Sequence, residues 1–298
     1  MEVKKIYRIL PRKISSIIEQ EKIEDLQEIR IRTNRQAILK YNREERITDF
    51  IPQEREMIEI LQMLCENSIY SYQTQLTQGF ITLYGGHRVG VTGNIAMKDG
   101  KISNINYISS LNFRISKEII GTSEKIIGQV MNFGEVNNTL IISKPGCGKT
   151  TLLRDLVRSI SNNGKTVSLI DERGEIAGMY KGVPQNDVGL RTDVMDNITK
   201  SLGMKIAVRT MSPDVIVADE IGTSEDIDAI NYGVCSGVKC IFSAHASDIN
   251  ELKLNKNLKK LYEQRLFKKL IFLEKMGIIK NIYTLENNMY KSVDENFE

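Results

Sequence analysis

The 298-residue sequence predicts an α/β protein: a mostly parallel sheet with crossover helices, preceded by a smaller α+β domain. Three observations lead there. From about residue 138, four short apolar runs are each bounded by turn residues: TLIIS (139–143), TVSLID (166–171), VIVADE (215–220) and CIFSAH (240–245). Helix-length segments lie between them, among them TTLLRDLVRSIS (150–161) and EDIDAINYGVCSG (225–237). Buried strands alternating with helices imply parallel pairing through crossovers. Before about residue 120 the texture differs, mixing helical apolar steps with short alternating segments.

In the first part, Ile14, Ile17 and Ile18, then Met57, Leu61 and Leu64, recur at three- and four-residue steps and predict amphipathic helices. EIRIRT (28–33) and AILKYN (37–42) alternate and read as a small hairpin. The Gly-punctuated stretch 79–103 is strand-like. The expected division is 1–120 for the α+β domain and 121–298 for the parallel-sheet domain, with 121–137 as the join. The tail from about 255 reads as one helix including LYEQRLFKKL, followed by edge strands FLEK and NIYTLE.

Composition excludes several classes. Hydrophobic and charged fractions of 41% and 27% are those of a globular protein, not of a disordered or collagen-like chain. No apolar run approaches the roughly 18 residues of a spanning helix. The basic N-terminus is broken by charges and Pro11, so it lacks the apolar core of a secretory signal, and a cytosolic location is expected. Cys65, Cys147, Cys235 and Cys240 form no C-x-x-C pair, and His87 and His245 are the only histidines, which argues against zinc. A net charge of +3 and the absence of Trp give little footing for nucleic acid.

The strongest local signal is SKPGCGKTT (143–151), directly after a strand and directly before a helix. Curling backbone N–H groups around a phosphate needs glycine, bridging phosphates needs lysine, and holding magnesium needs a hydroxyl. Gly146 and Gly148 supply the turn, Lys149 the cation and Thr150 the metal ligand, with Ser143, Pro145 and Cys147 completing the loop. Ser143 stands where the usual pattern opens with glycine. Thr151 either caps the helix or approaches the α-phosphate. The loop is a nucleotide site, and Cys147 is filler at a variable position.

Asp219 and Glu220 sit at the C-terminal end of an apolar strand, where open parallel sheets bind ligands. Asp219 suits a magnesium-bound water and Glu220 an attacking water. Asp171 and Glu172 end a second apolar strand and form another pair, with Asp171 a further metal ligand. Which of Glu172 and Glu220 is the general base stays open. His245 ends the fourth strand, where it is suited to sense the γ-phosphate.

These motifs, with SLIDERGEIAG (168–178), VRTMSPDVIVADEIG (208–222) and SAHAS (243–247), stand in the order of the secretion-ATPase superfamily, which the chain resembles. The stretches 68–95, 109–116 and 187–194 are similar to its sporulation branch, the stage III AA family of endospore-forming bacteria. The likeness runs from about 25 to 285. It implies a RecA-like P-loop ATPase domain using ATP and Mg2+ and working as a homo-hexamer. It also implies that N-terminal arginines reach the phosphates, and Arg88 and Arg114 stand where those arginines fall. Arg209 matches the arginine that organises the site before the magnesium strand. The resemblance further implies a role at the mother cell–forespore channel, on the cytoplasmic mother-cell side of the membrane, docked through integral membrane partners. A nucleic-acid-translocating ATPase and a non-hydrolysing nucleotide-bound scaffold are the competing readings.

Overall fold

Partial alternation of buried and outward residues, broken by bulges, builds the strands of the first part of the chain. In the computed structural model, which describes residues 10–19, 25–275 and 277–293, its elements are α1 (Arg12–Glu19), β1 (Leu26–Arg32), β2 (Arg35–Tyr41), β3 (Glu45–Ile47) and α2 (Glu54–Leu64). Then follow α3 (Gln73–Thr77), β4 (Phe80–Thr82), β5 (Arg88–Lys98) and β6 (Lys101–Arg114). The strands form one six-stranded sheet in the order β3-β2-β1-β6-β5-β4, antiparallel at every pairing. Ile29, Ile31, Leu39, Val89, Leu111 and Phe113 bury one face together with Ile14 and Ile18 of α1 and Met57, Ile60 and Leu64 of α2. The hairpin expected over 28–42 is β1–β2, closed through Asn34 in the left-handed region (φ 57°). The basic first nine residues lie outside the described residues.

The second part begins with α4 (Ile127–Val130), β7 (Met131–Asn132) and β8 (Glu135–Val136). It continues through β9 (Thr139–Ser143), α5 (Lys149–Asn162), β10 (Val167–Asp171), β11 (Thr192–Asp196), α6 (Lys200–Thr210), β12 (Val215–Ala218), α7 (Ser224–Cys235) and β13 (Lys239–His245). The last elements are α8 (Ile249–Leu254), α9 (Lys256–Glu263), β14 (Lys269–Leu273), β15 (Ile279–Glu286) and β16 (Met289–Ser292). An eight-stranded sheet runs β11-β10-β12-β13-β9-β14-β15-β16, parallel from β11 to β14 and antiparallel at its last two pairings. Strands β9, β10, β12 and β14 are buried at every residue, as continuous apolar runs covered on both faces must be.

Two expectations fail here. The helix expected through LYEQRLFKKL ends at Glu263, and Arg265 turns into the left-handed region (φ 55°). KLIFL then forms β14, an interior strand between β9 and β15 and not an edge. Its short apolar run looks alike in a helix or a strand, and burial on both faces decides it. The polar strand β11, TDVMD, carries no apolar pattern and was not expected.

The chain forms two compact units. One runs up to Lys117 and includes Gly178–Gln185; the other comprises Glu118–Ala177 and the chain from Asn186 onward. Within the first unit, Glu66 holds the 178–185 segment, accepting the Tyr180 hydroxyl and pairing with Lys181 Nζ at 2.6 Å. Among the described residues no helix is long and apolar enough to cross a membrane.

Candidate nucleotide site

The parallel strands of the second unit deliver their C-terminal ends to one edge, so β9, β12 and β13 carry the phosphate loop, the acid pair and His245 to neighbouring positions. The loop itself turns through Gly146 (φ 76°) and Gly148 (φ 86°), and Gly148 is the N-cap of α5. An added Cβ at Gly146 meets nothing within 4 Å, so backbone conformation, not space, demands glycine there.

Lys149 points back over this loop and is only 5% exposed. Its Nζ lies 3.0 Å from His245 Nδ1, 3.3 Å from both the carbonyl and hydroxyl oxygens of Ser143, and 3.5 Å from the Lys144 carbonyl. Three of these four contacts are long for hydrogen bonds. Burial pushes the Lys149 ammonium below the usual lysine range, while the Asp219 and Glu220 charges oppose it. A buried cation held by long neutral contacts is well suited to an anion.

Thr150 Oγ1 donates to Asp219 Oδ2 at 3.0 Å, which brings the two expected magnesium-site residues together. The other Asp219 oxygen accepts the Ser243 hydroxyl and the Glu220 amide. Glu220 occupies the left-handed region (φ 52°), with its amide also 3.0 Å from Ser243 Oγ. Its Oε1 lies 2.9 Å from His245 Nε2, and its Oε2 accepts Arg173 Nη1 at 2.6 Å. Burial raises the Glu220 carboxyl, but the His245 hydrogen bond and the Arg173 and Lys149 charges outweigh it and leave it below the ordinary glutamate range. With Lys149 donating to Nδ1, His245 donates from Nε2 to Glu220.

The second acid pair divides. Asp171, expected as a metal ligand, is buried with both oxygens committed to the backbone. Oδ1 accepts Glu175 N at 2.9 Å, Oδ2 accepts Ala177 N at 2.8 Å, and Ile176 N approaches both. Asp171 thus closes the loop after β10. Buried Arg154 of α5 holds the same loop by donating to the Glu175 and Ile176 carbonyls, each at 2.7 Å. Glu172 and Asp171 line one cleft with Arg173, Glu175, Lys200, Asp219 and Glu220, and Glu172 pairs with Lys200. Lys200 reaches it because α6 packs tightly on β10 at Gly203, where an added Cβ would come within 2.6 Å of Ile170 Cγ2. Replacing Asp171 by alanine leaves buried amides unpaired and should cost about 3 kcal/mol. A melting temperature lower by roughly 5–10 °C is the expected result.

Arg209 does not join the site. It is exposed on the last turn of α6, which leads into the start of β12, whereas the acids follow the end of that strand. Arg88 and Arg114 belong to the first unit, where they are direct partners across β5 and β6. The Arg88 guanidinium stacks over Phe80 at 4.5 Å. Neighbouring His87 is a buried neutral imidazole, pushed down to about 4 by burial, whose Nδ1 accepts the Ser116 amide. Cys147 donates to the Glu274 carbonyl at 3.0 Å, and its own carbonyl accepts Gly277 N at 2.8 Å, so the β14–β15 turn braces the loop.

Sequence reasoning missed Ser243, Arg173, Lys200 and Arg154 as members of this network. Ser243 left a trace as the polar break in CIFSAH, and Arg154 as a charge on an apolar helix face; Arg173 and Lys200 left none.

The family model described as sporulation stage III, protein AA matches residues 1–289. The chain is 36% identical over 284 residues to stage III sporulation protein AA of Bacillus subtilis, covering 93% of this chain and 92% of that one. Among solved structures, the pilus retraction motor PilT with bound ADP is similar with a TM-score of 0.59 at 14% identity, over 95% of this chain and 83% of that one. The Legionella pneumophila ATPase DotB is similar with a TM-score of 0.55 at 13% identity, over 87% and 75%. The fold is therefore that of the RecA-like secretion ATPases, with an antiparallel-sheet domain ahead of the parallel sheet.

Proposed function

The chain belongs to the sporulation stage III protein AA family, and on that footing we propose that it is a magnesium-dependent ATPase of the secretion-motor type. The observation that carries this reading is the convergence of Lys149, the Thr150–Asp219 pair and the Glu220–His245 pair at one sheet edge. The phosphate loop from Ser143 to Thr151 holds the nucleotide phosphates, with Lys149 the cation that exchanges its long protein contacts for them. Thr150 and Asp219 would hold magnesium, which supplies charge neutralisation when bound. Glu220 orients the attacking water, and His245, linked to both Lys149 and Glu220, registers whether Lys149 is engaged. Arg88 and Arg114 neutralise charge on the transferring group, a task for which a planar guanidinium is suited. Arg209 is exposed on the last turn of α6, ahead of the strand that carries the acids.

The working form proposed is a homo-hexamer at the mother-cell face of the forespore membrane, bound to integral membrane partners and energising or assembling the channel between the two cells. The purified protein should turn over ATP only with magnesium, and its mass in ATP should be that of a ring. Nucleotide binding without turnover under any condition would replace the motor with a scaffold.

A further inference from the structure

Glu220 is held from two sides, and the two holds differ in kind. His245 takes one carboxylate oxygen, but its other ring nitrogen lies 3.0 Å from Lys149 Nζ, the ammonium that an arriving phosphate attracts. The hold through His245 is thus the one that ligand binding disturbs. Arg173 takes the second oxygen at 2.6 Å, reaching across from the loop after β10. The Glu220 backbone is already fixed in the left-handed region, with its amide bonded to Asp219 Oδ1 and Ser243 Oγ, so the orientation of its side chain is what remains to be set.

We propose that Arg173 is a positioning residue for ATP hydrolysis: it keeps the Glu220 carboxylate aimed while Lys149 and His245 respond to the phosphates. The proposal rests on the ATPase reading above. A guanidinium offers directional donors in a plane, which a carboxylate can use to fix its own tilt, whereas an ammonium offers attraction with less direction. The Arg173 side chain is 65% exposed, so this single ion pair contributes little to folding. Its effect on the reaction is larger, because misplacing a reacting group by about 1 Å costs up to roughly a hundredfold in rate.

The test compares the full chain with Arg173→Ala, Arg173→Lys, Glu220→Gln and the double variant Arg173→Ala/Glu220→Gln. Turnover, equilibrium binding of fluorescent ATP and melting temperature are measured for each. For Arg173→Ala, kcat should fall about 10- to 100-fold while ATP affinity stays within about twofold and melting is unchanged. Arg173→Lys should recover part of the loss, and in the Glu220→Gln background the alanine substitution should add nothing. Unchanged or faster turnover in Arg173→Ala overturns the proposal. So does a loss of affinity matching the loss of kcat/KM, which would mean that Arg173 grips the nucleotide itself. An equal further loss in the Glu220→Gln background also overturns it. If the wild type binds ATP yet hydrolyses none, the ATPase reading falls and takes this proposal with it.

Discussion

Replacing Lys149 by alanine should leave the protein folded and strip it of nucleotide. The ammonium is buried, and its contacts to Ser143 and Lys144 are long, so removing it relieves desolvation and forfeits little. Lys144 and His245 are exposed and can be served by water once Lys149 is gone. The apo melting temperature should therefore be unchanged or higher. The wild type, at roughly 100 times Kd of ATP, should gain about 2.7 kcal/mol of stability from binding. Lys149→Ala should gain none, and its turnover should fall to background. A wild-type thermal response to ATP in this variant would remove Lys149 from the phosphate site.

Glu220→Gln should bind ATP and fail to turn it over. The amide keeps the size of the side chain and one acceptor oxygen for His245 Nε2, while losing the basic carboxylate. General bases are worth about 10²–10⁴ in rate, and a loss in that range is expected for kcat with ATP affinity retained. Glu172→Gln is the informative partner. Its carboxylate is already paired with Lys200, and its loss should reduce kcat far less. If the ranking is reversed, the base is Glu172 and the Arg173–Glu220 pair has another purpose.

The parallel sheet was legible because its strands are buried on both faces and write themselves as uninterrupted apolar runs between turn residues. The turn from β9 into α5 was legible because left-handed backbone at Gly146 and Gly148 demands glycine whatever surrounds it. What escaped has a common origin in distance along the chain. Asp171 looks the same whether it ligates a metal or closes its own loop, and only the amides of Glu175, Ile176 and Ala177 decide between them. Arg173 and Glu220 are 47 residues apart, and no local pattern joins them. Arg209 stands on the last turn of α6, before the start of β12, while the acids follow the end of that strand, and proximity in sequence hid that separation.

The strand beside β9 is β14, and the turn that follows it braces Cys147. A ribosome that has translated only as far as Glu263 has already made the phosphate loop, both acid pairs and His245. It has not made the neighbour that shields one edge of the loop's own strand, nor the carbonyl and amide that steady the loop. The edge of β9 is thus closed late in synthesis, once β14 has slotted in beside it. Until then β9 presents an open edge, a row of unpaired backbone groups on which another strand can pair.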